Sequence, residues 1–127
     1  MATRIFRLTI AVGDIERAAE FYASVLGEPG ERVWTNRHYF HCGEVVLACV
    51  QPAAEVVIPH PAGDPRIVYL AVEDLEAVHA RLRAAGPARV DDGITTQPWG
   101  ERSCYAEDPF GNQLCFVDAD TVYRGAR

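Results

Sequence analysis

The side chains in this sequence best able to ligate a metal or attack an electrophile are four histidines and four cysteines. They are His38, His41, His60 and His79, with Cys42, Cys49, Cys104 and Cys115. Their spacing contains no CxxC pair and no zinc-ligand pattern. His38 and His41 have opposite parity in one strand-like run, so at most one of them faces a given site. A lone histidine in a pocket is more often a hydrogen-bonding residue than a ligand. Cys115 has two readings: a nucleophile activated by Arg7 or His41, or a small apolar filler. Tyr39, Tyr69 and Tyr105 can act as general acids, or can shape and hydrogen-bond a ligand. Trp99 can stack on a ligand or fix its own loop. Cys42, Cys49 and Cys104 read as core.

Arg7 carries the sharpest expectation. It alternates with Phe6 and Leu8, whose apolar side chains belong against a helix, so the guanidinium points to the opposite side and into the interior. An unpaired buried guanidinium costs several kcal/mol. Arg7 must therefore anchor a ligand anion or pair with an internal acid such as Glu107, and both readings stand.

The elements that position these residues occur twice. Ile10-Ala11-Val12-Gly13-Asp14-Ile15-Glu16 is echoed 60 residues on by Leu70-Ala71-Val72-Glu73-Asp74-Leu75-Glu76. Each copy opens with an alternating strand, Phe6/Leu8/Ile10/Val12 and Val68/Leu70/Val72. Asp14 and Asp74 then cap helices whose apolar faces carry Ile15, Ala18, Ala19, Tyr22 and Val25/Leu26, and Leu75, Val78, Leu82 and Ala85. Gly27 and Gly86 stand where each helix stops. Strand-like runs follow at 32–35, 37–42 and 45–51, then at 88–91, 102–107 and 113–118. Gly43-Glu44 forms one tight turn and Asp108-Pro109-Phe110-Gly111-Asn112 a hairpin loop. The stretch 93–100 reads as irregular. The order is βαβββ, linker, βαβββ: one domain over 1–118, made of module one (4–51), a linker (52–65) and module two (66–118), with a tail over 119–127.

The chain has 127 residues, 49% of them apolar and 24% charged, an ordinary globular balance. Its basic residues are all arginine, 12 against 18 acids, and the net charge of −6 argues against nucleic acid. The longest apolar stretch, 45–50, is too short to cross a membrane. With no signal-like N-terminus, a cytoplasmic protein with reduced thiols is expected.

Two βαβββ modules, a strand–Asp–helix signature in each, and Trp99-Gly100-Glu101-Arg102 running into the DPxGN hairpin at 108–112 resemble the vicinal oxygen chelate superfamily. That group includes glyoxalases, extradiol dioxygenases, fosfomycin-resistance enzymes and bleomycin-resistance binding proteins, and the resemblance spans 4–118. It implies an α+β fold of two tandem modules, each an open half-barrel, around a cavity. It also implies where metal-dependent members place their ligands: Arg7, Ala48, Ile67 and Cys115. None is a fitting ligand, because guanidinium has no lone pair to give, Ile and Ala offer no donor, and one thiolate does not hold Mg, Mn or Fe.

Parity furnishes the expected cavity with Arg7, Thr9, Tyr39, His41, Tyr69, Tyr105 and Cys115, and Trp99 at its rim. These walls suit an apolar or aromatic ligand bearing an anionic group. The expectation is a metal-free binding protein of the bleomycin-resistance type, needing no cofactor and forming a homodimer. The alternatives are a glyoxalase-like lyase, isomerase or dioxygenase with non-standard catalytic residues, and a structural protein whose cavity is vestigial.

Overall fold

A computed structural model of the chain describes residues 4–52 and 66–125. Most of the expected linker, from residue 53 on, and His60 with it, lie outside the described residues. The chain divides into two compact units, one for each copy of the repeat.

Unit one runs β1 (Arg7–Ala11), α1 (Ile15–Leu26), β2 (Glu31–Val33), β3 (Arg37–Cys42) and β4 (Val45–Val50). Its sheet has the order β1-β4-β3-β2, with β1 parallel to β4 and the other pairs antiparallel. Asp14 starts the helix as expected: Oδ1 accepts the N–H groups of Glu16 at 3.0 Å and Arg17 at 3.2 Å. Gln51 adds a second tie, its Oε1 accepting the Ile15 N–H at 2.8 Å. The helix ends at Gly27 in the left-handed conformation that glycine adopts without strain.

Helix α1 lies against β3 and β4. It buries Ile15, Ala18, Phe21, Tyr22 and Val25, and the Tyr22 and Phe40 rings are 5.9 Å apart. Phe21 belongs to this face where Ala19 and Leu26 were expected, and those two lie half-buried at its margins. A second departure is β2, which ends at Val33 rather than reaching 35, because Trp34 turns the chain at φ 55. Cys49 is core, whereas Cys42 is only half-buried.

Unit two runs β5 (Ile67–Val72), α2 (Leu75–Ala84), β6 (Arg89–Val90), β7 (Thr95–Thr96), β8 (Arg102–Glu107) and β9 (Gln113–Asp118), then a 3-10 turn at Ala119–Thr121. The order is β5-β9-β8-β6, with β5 parallel to β9 and β7 also paired to β8. β7 falls in the stretch read as irregular; two threonines are too short a run to show alternation. Asp74 caps α2 through Ala77 N–H at 3.1 Å, and Leu75, Val78 and Leu82 are buried on the side packed against β8 and β9.

The hairpin loop is templated by one buried carboxylate. Asp108 Oδ1 accepts the N–H groups of Phe110 and Asn112, both at 2.9 Å, and Oδ2 accepts from Asn112 Nδ2 at 2.8 Å. The loop thus needs Asp and Asn at these two positions. Arg102 clamps elements together: Nη1 meets Asp118 at 2.6 Å at the end of β9, and Nη2 meets Glu76 at 2.5 Å in the first turn of α2. That pairing holds the Glu76 carboxyl below the usual range.

Candidate functional site

Register decides which side chains share a face. In unit one α1 covers the face carrying His38, Phe40, Leu47 and Cys49. The face it leaves uncovered has three rows: Arg7, Val46 and His41; Thr9, Ala48 and Tyr39; Ala11, Val50 and Arg37. The structure thus brings Arg7, Thr9, Tyr39 and His41 together. His38 is a structural histidine. Its Nε2 lies 2.8 Å from the Pro29 carbonyl and its Nδ1 accepts from Arg32 Nε at 3.3 Å, which assigns the proton to Nε2.

Arg7 departs from expectation in one respect: it is exposed, not buried, so no desolvation cost forces a partner on it. Its guanidinium lies 5.2 Å from the Phe6 ring centre and 6.0 Å from that of Tyr39. These contacts hold it over an aromatic floor without neutralising it. It has no ion pair among the described residues, and Glu107, the acid named for it, is 3.4 Å from Arg89 Nε. His41 is exposed at the end of its row, with Nε2 3.6 Å from Glu31 Oε1.

In unit two the uncovered face carries Tyr69, Cys115 and Tyr105 in one row and Ala71, Val117 and Ser103 in the next. A chain of polar contacts crosses these rows. Gln97 Nε2 donates to Ser103 Oγ at 3.2 Å, Ser103 and Tyr105 hydrogen-bond Cys115, and Tyr105 bonds Tyr69. The tie to Tyr69, and then burial, raises the Tyr105 phenol. Burial likewise pushes the Cys115 thiol up, against the hydrogen bonds that lower it. Both groups are therefore neutral near pH 7. The groups this cluster can offer a ligand are the Tyr69 and Tyr105 hydroxyls; Cys115 is buried, and a thiol shifted this way is the inert kind.

Trp99 is half-exposed and donates from Nε1 to Glu101 Oε1 at 2.8 Å, so it fixes its loop while presenting a ring. Glu101 was not anticipated. It is buried, and its Oε2 accepts the Tyr123 N–H at 2.9 Å, which docks the tail onto the Trp99 loop. Asp91 is a second omission: Oδ2 accepts the Tyr105 N–H at 2.8 Å. A third, Arg37, shares parity with Tyr39 and His41, a signal present in the sequence. His79 Nε2 lies 2.7 Å from the Asp91 carbonyl oxygen, a structural tie from α2.

A sequence profile of the glyoxalase/bleomycin resistance protein/dioxygenase superfamily matches residues 4–116. The chain belongs to that superfamily. Among curated relatives, a glutathione transferase FosA from Serratia marcescens is 29% identical over 117 residues, covering 90% of this chain and 79% of that protein. Among solved structures, a glyoxalase/bleomycin resistance protein from Albidiferax ferrireducens superposes with a TM-score of 0.77 at 21% identity, covering 90% of this chain and 97% of the other. A glyoxalase-related enzyme from Fulvimarina pelagi gives the same TM-score, 0.77, at 20% identity over 98% and 94% of the two chains. These superpositions establish the superfamily's fold of two βαβββ modules with mixed sheets.

The resemblance to metal-dependent members implies ligand positions at Arg7, Ala48, Ile67 and Cys115, two in each unit. The donor set does not fit a divalent ion. A guanidinium repels the cation, two alkyl groups give no electron pair, and the one thiol is held protonated by burial. Among the described residues no group of three or more His, Cys, Asp or Glu side chains stands close enough to hold a metal.

Proposed function

We propose that this superfamily member is a small-molecule-binding protein that works without a metal. Its ligand is apolar or aromatic and anionic. One observation carries the reading: Arg7 stands over the Phe6 and Tyr39 rings with its charge unneutralised by any acid among the described residues. A cation seated on aromatic rings suits a planar group with a carboxylate at its edge. In unit one Thr9, Tyr39 and His41 support that end of the ligand; in unit two Tyr69, Trp99, Tyr105 and Cys115 form a second group suited to stacking and neutral hydrogen bonds. The protein acts as a homodimer in the cytoplasm. The net charge of −6 weighs against nucleic acid, and among the described residues no helix is long and apolar enough to cross a membrane.

The test is native mass spectrometry of the untreated purified protein, with elemental analysis of the same sample. The expected result is a metal-free species carrying a small organic adduct that Arg7→Ala loses, at about a tenfold or greater cost in affinity. A stoichiometric divalent metal retained through dialysis overturns the reading. A second reading, catalysis on non-standard residues, draws support from the relative named as a glutathione transferase. Turnover of an electrophilic substrate with glutathione, by protein free of metal, would favour it.

A further inference from the structure

The third row of the uncovered face in unit one ends in a group with no role so far. The Arg37 side chain makes no hydrogen bond or ion pair among the described residues, and its Nε–H is buried with no acceptor. Its guanidinium lies 5.2 Å from the centre of the Trp34 ring. Trp34 stands at φ 55, the left-handed region that a bulky side chain rarely adopts, yet its side chain is left 77% exposed. Folding thus accepts two unfavourable features side by side, a strained backbone at an exposed aromatic and a buried donor without a partner. One occupant engages both residues: a flat ring laid on exposed Trp34 whose carboxylate meets the unpaired charge of the Arg37 guanidinium beside that ring.

We infer that Trp34 and Arg37 form a recognition point for an aromatic carboxylate, separate from Arg7. Arg7 pairs in register with Val46 and Arg37 with Val50, two strands apart, so their backbone positions are roughly 16 Å from each other. A ligand that engages both arginines is elongated, with an anionic group at each end. This last step rests on the Arg7 reading given above; the Trp34–Arg37 point does not.

The experiment is nitrogen-15 NMR of the full chain titrated with 1-naphthoate. The chain has two tryptophans, so the Trp34 indole signal is separable from that of Trp99, which is held by Glu101. Saturable shifts of the Trp34 indole and Arg37 Nε–H signals are expected. Arg37→Gln and Trp34→Gly should each weaken binding by about tenfold or more. Glycine relieves the left-handed strain, so the Tm of Trp34→Gly should not fall, which separates lost binding from lost folding. Naphthoate affinity unchanged in both variants but abolished by Arg7→Ala overturns the Trp34 site and leaves the Arg7 reading standing. Loss in these variants with none in Arg7→Ala sustains the new site alone. Trp34 and Arg37 signals that stay unmoved at millimolar naphthoate overturn the new site and leave the Arg7 reading to its own test.

Discussion

At the scale of single residues, burial rather than residue type decides what the thiols can do. Cys104 lies fully inside unit two, and desolvation pushes its thiol up to about 12 from an ordinary 9.0. The unfolded chain loses this proton near pH 9 while the folded chain keeps it. Stability therefore holds below pH 9 and falls as the pH climbs from there toward 12. We expect Tm to decline over that window and Cys104→Ala to flatten the decline, at the cost of a lower Tm at neutral pH from the lost side chain. An alkaline limb of equal slope in both proteins would show that other groups set it. Cys115 follows the same logic, so the nucleophile reading gains nothing from its position. Arg7 moved the other way. Parity named its face, but exposure depends on what lies above that face, and no local pattern reports that.

Between elements, one close approach controls unit one. The turn from α1 into β2 passes Gly30 at φ 63, where an added Cβ would meet Phe40 Cε1 and the Tyr39 carbonyl oxygen, both at 2.7 Å. The carbonyl is part of the β2–β3 ladder and cannot yield without opening the pairing of Glu31 with Tyr39. Gly30→Ala should therefore cost at least ~2 kcal/mol, combining backbone strain with overpacking. Urea titration reads this directly, and a change below about 0.5 kcal/mol would mean that the turn relaxes freely. Tyr39, which belongs to the proposed site, should lose affinity in the same variant, because this turn sets its strand. The contrast with Trp34 is useful. Both positions are left-handed, but only at Gly30 does the surrounding packing demand glycine.

At the scale of the whole molecule, each unit owns a helix-covered face and an apolar core, while other apolar side chains remain outside them. Ile5, Phe6 and Leu8 are exposed along or just before β1, an edge strand of its sheet. Exposed edges of this kind favour association. Native mass spectrometry should therefore give twice the 14.0 kDa of one chain, and a persistent monomer at micromolar concentration would rule out the dimer. Dilution should lower Tm as the dimer dissociates.

The sequence by itself determined the repeat, the two capped helices, the parity of the strands and the DPxGN loop. Each of these is written in local spacing: alternation for strands, a 3.6-residue period for helices, an Asp at each helix start. Strand identity also placed Arg7, Thr9, Tyr39 and His41 on one face, and Tyr69, Tyr105 and Cys115 on another, because register carries parity across a sheet. Only the tertiary structure decided that Arg7 is exposed, that Glu107 is engaged by Arg89, and that Glu101 ties the tail to the Trp99 loop. It also decided that Trp34 bends left-handed beside an orphaned Arg37. These outcomes depend on which residues distant in sequence meet in space, and on which side chains lose water when they do. Neither quantity is encoded in the spacing of neighbours along the chain.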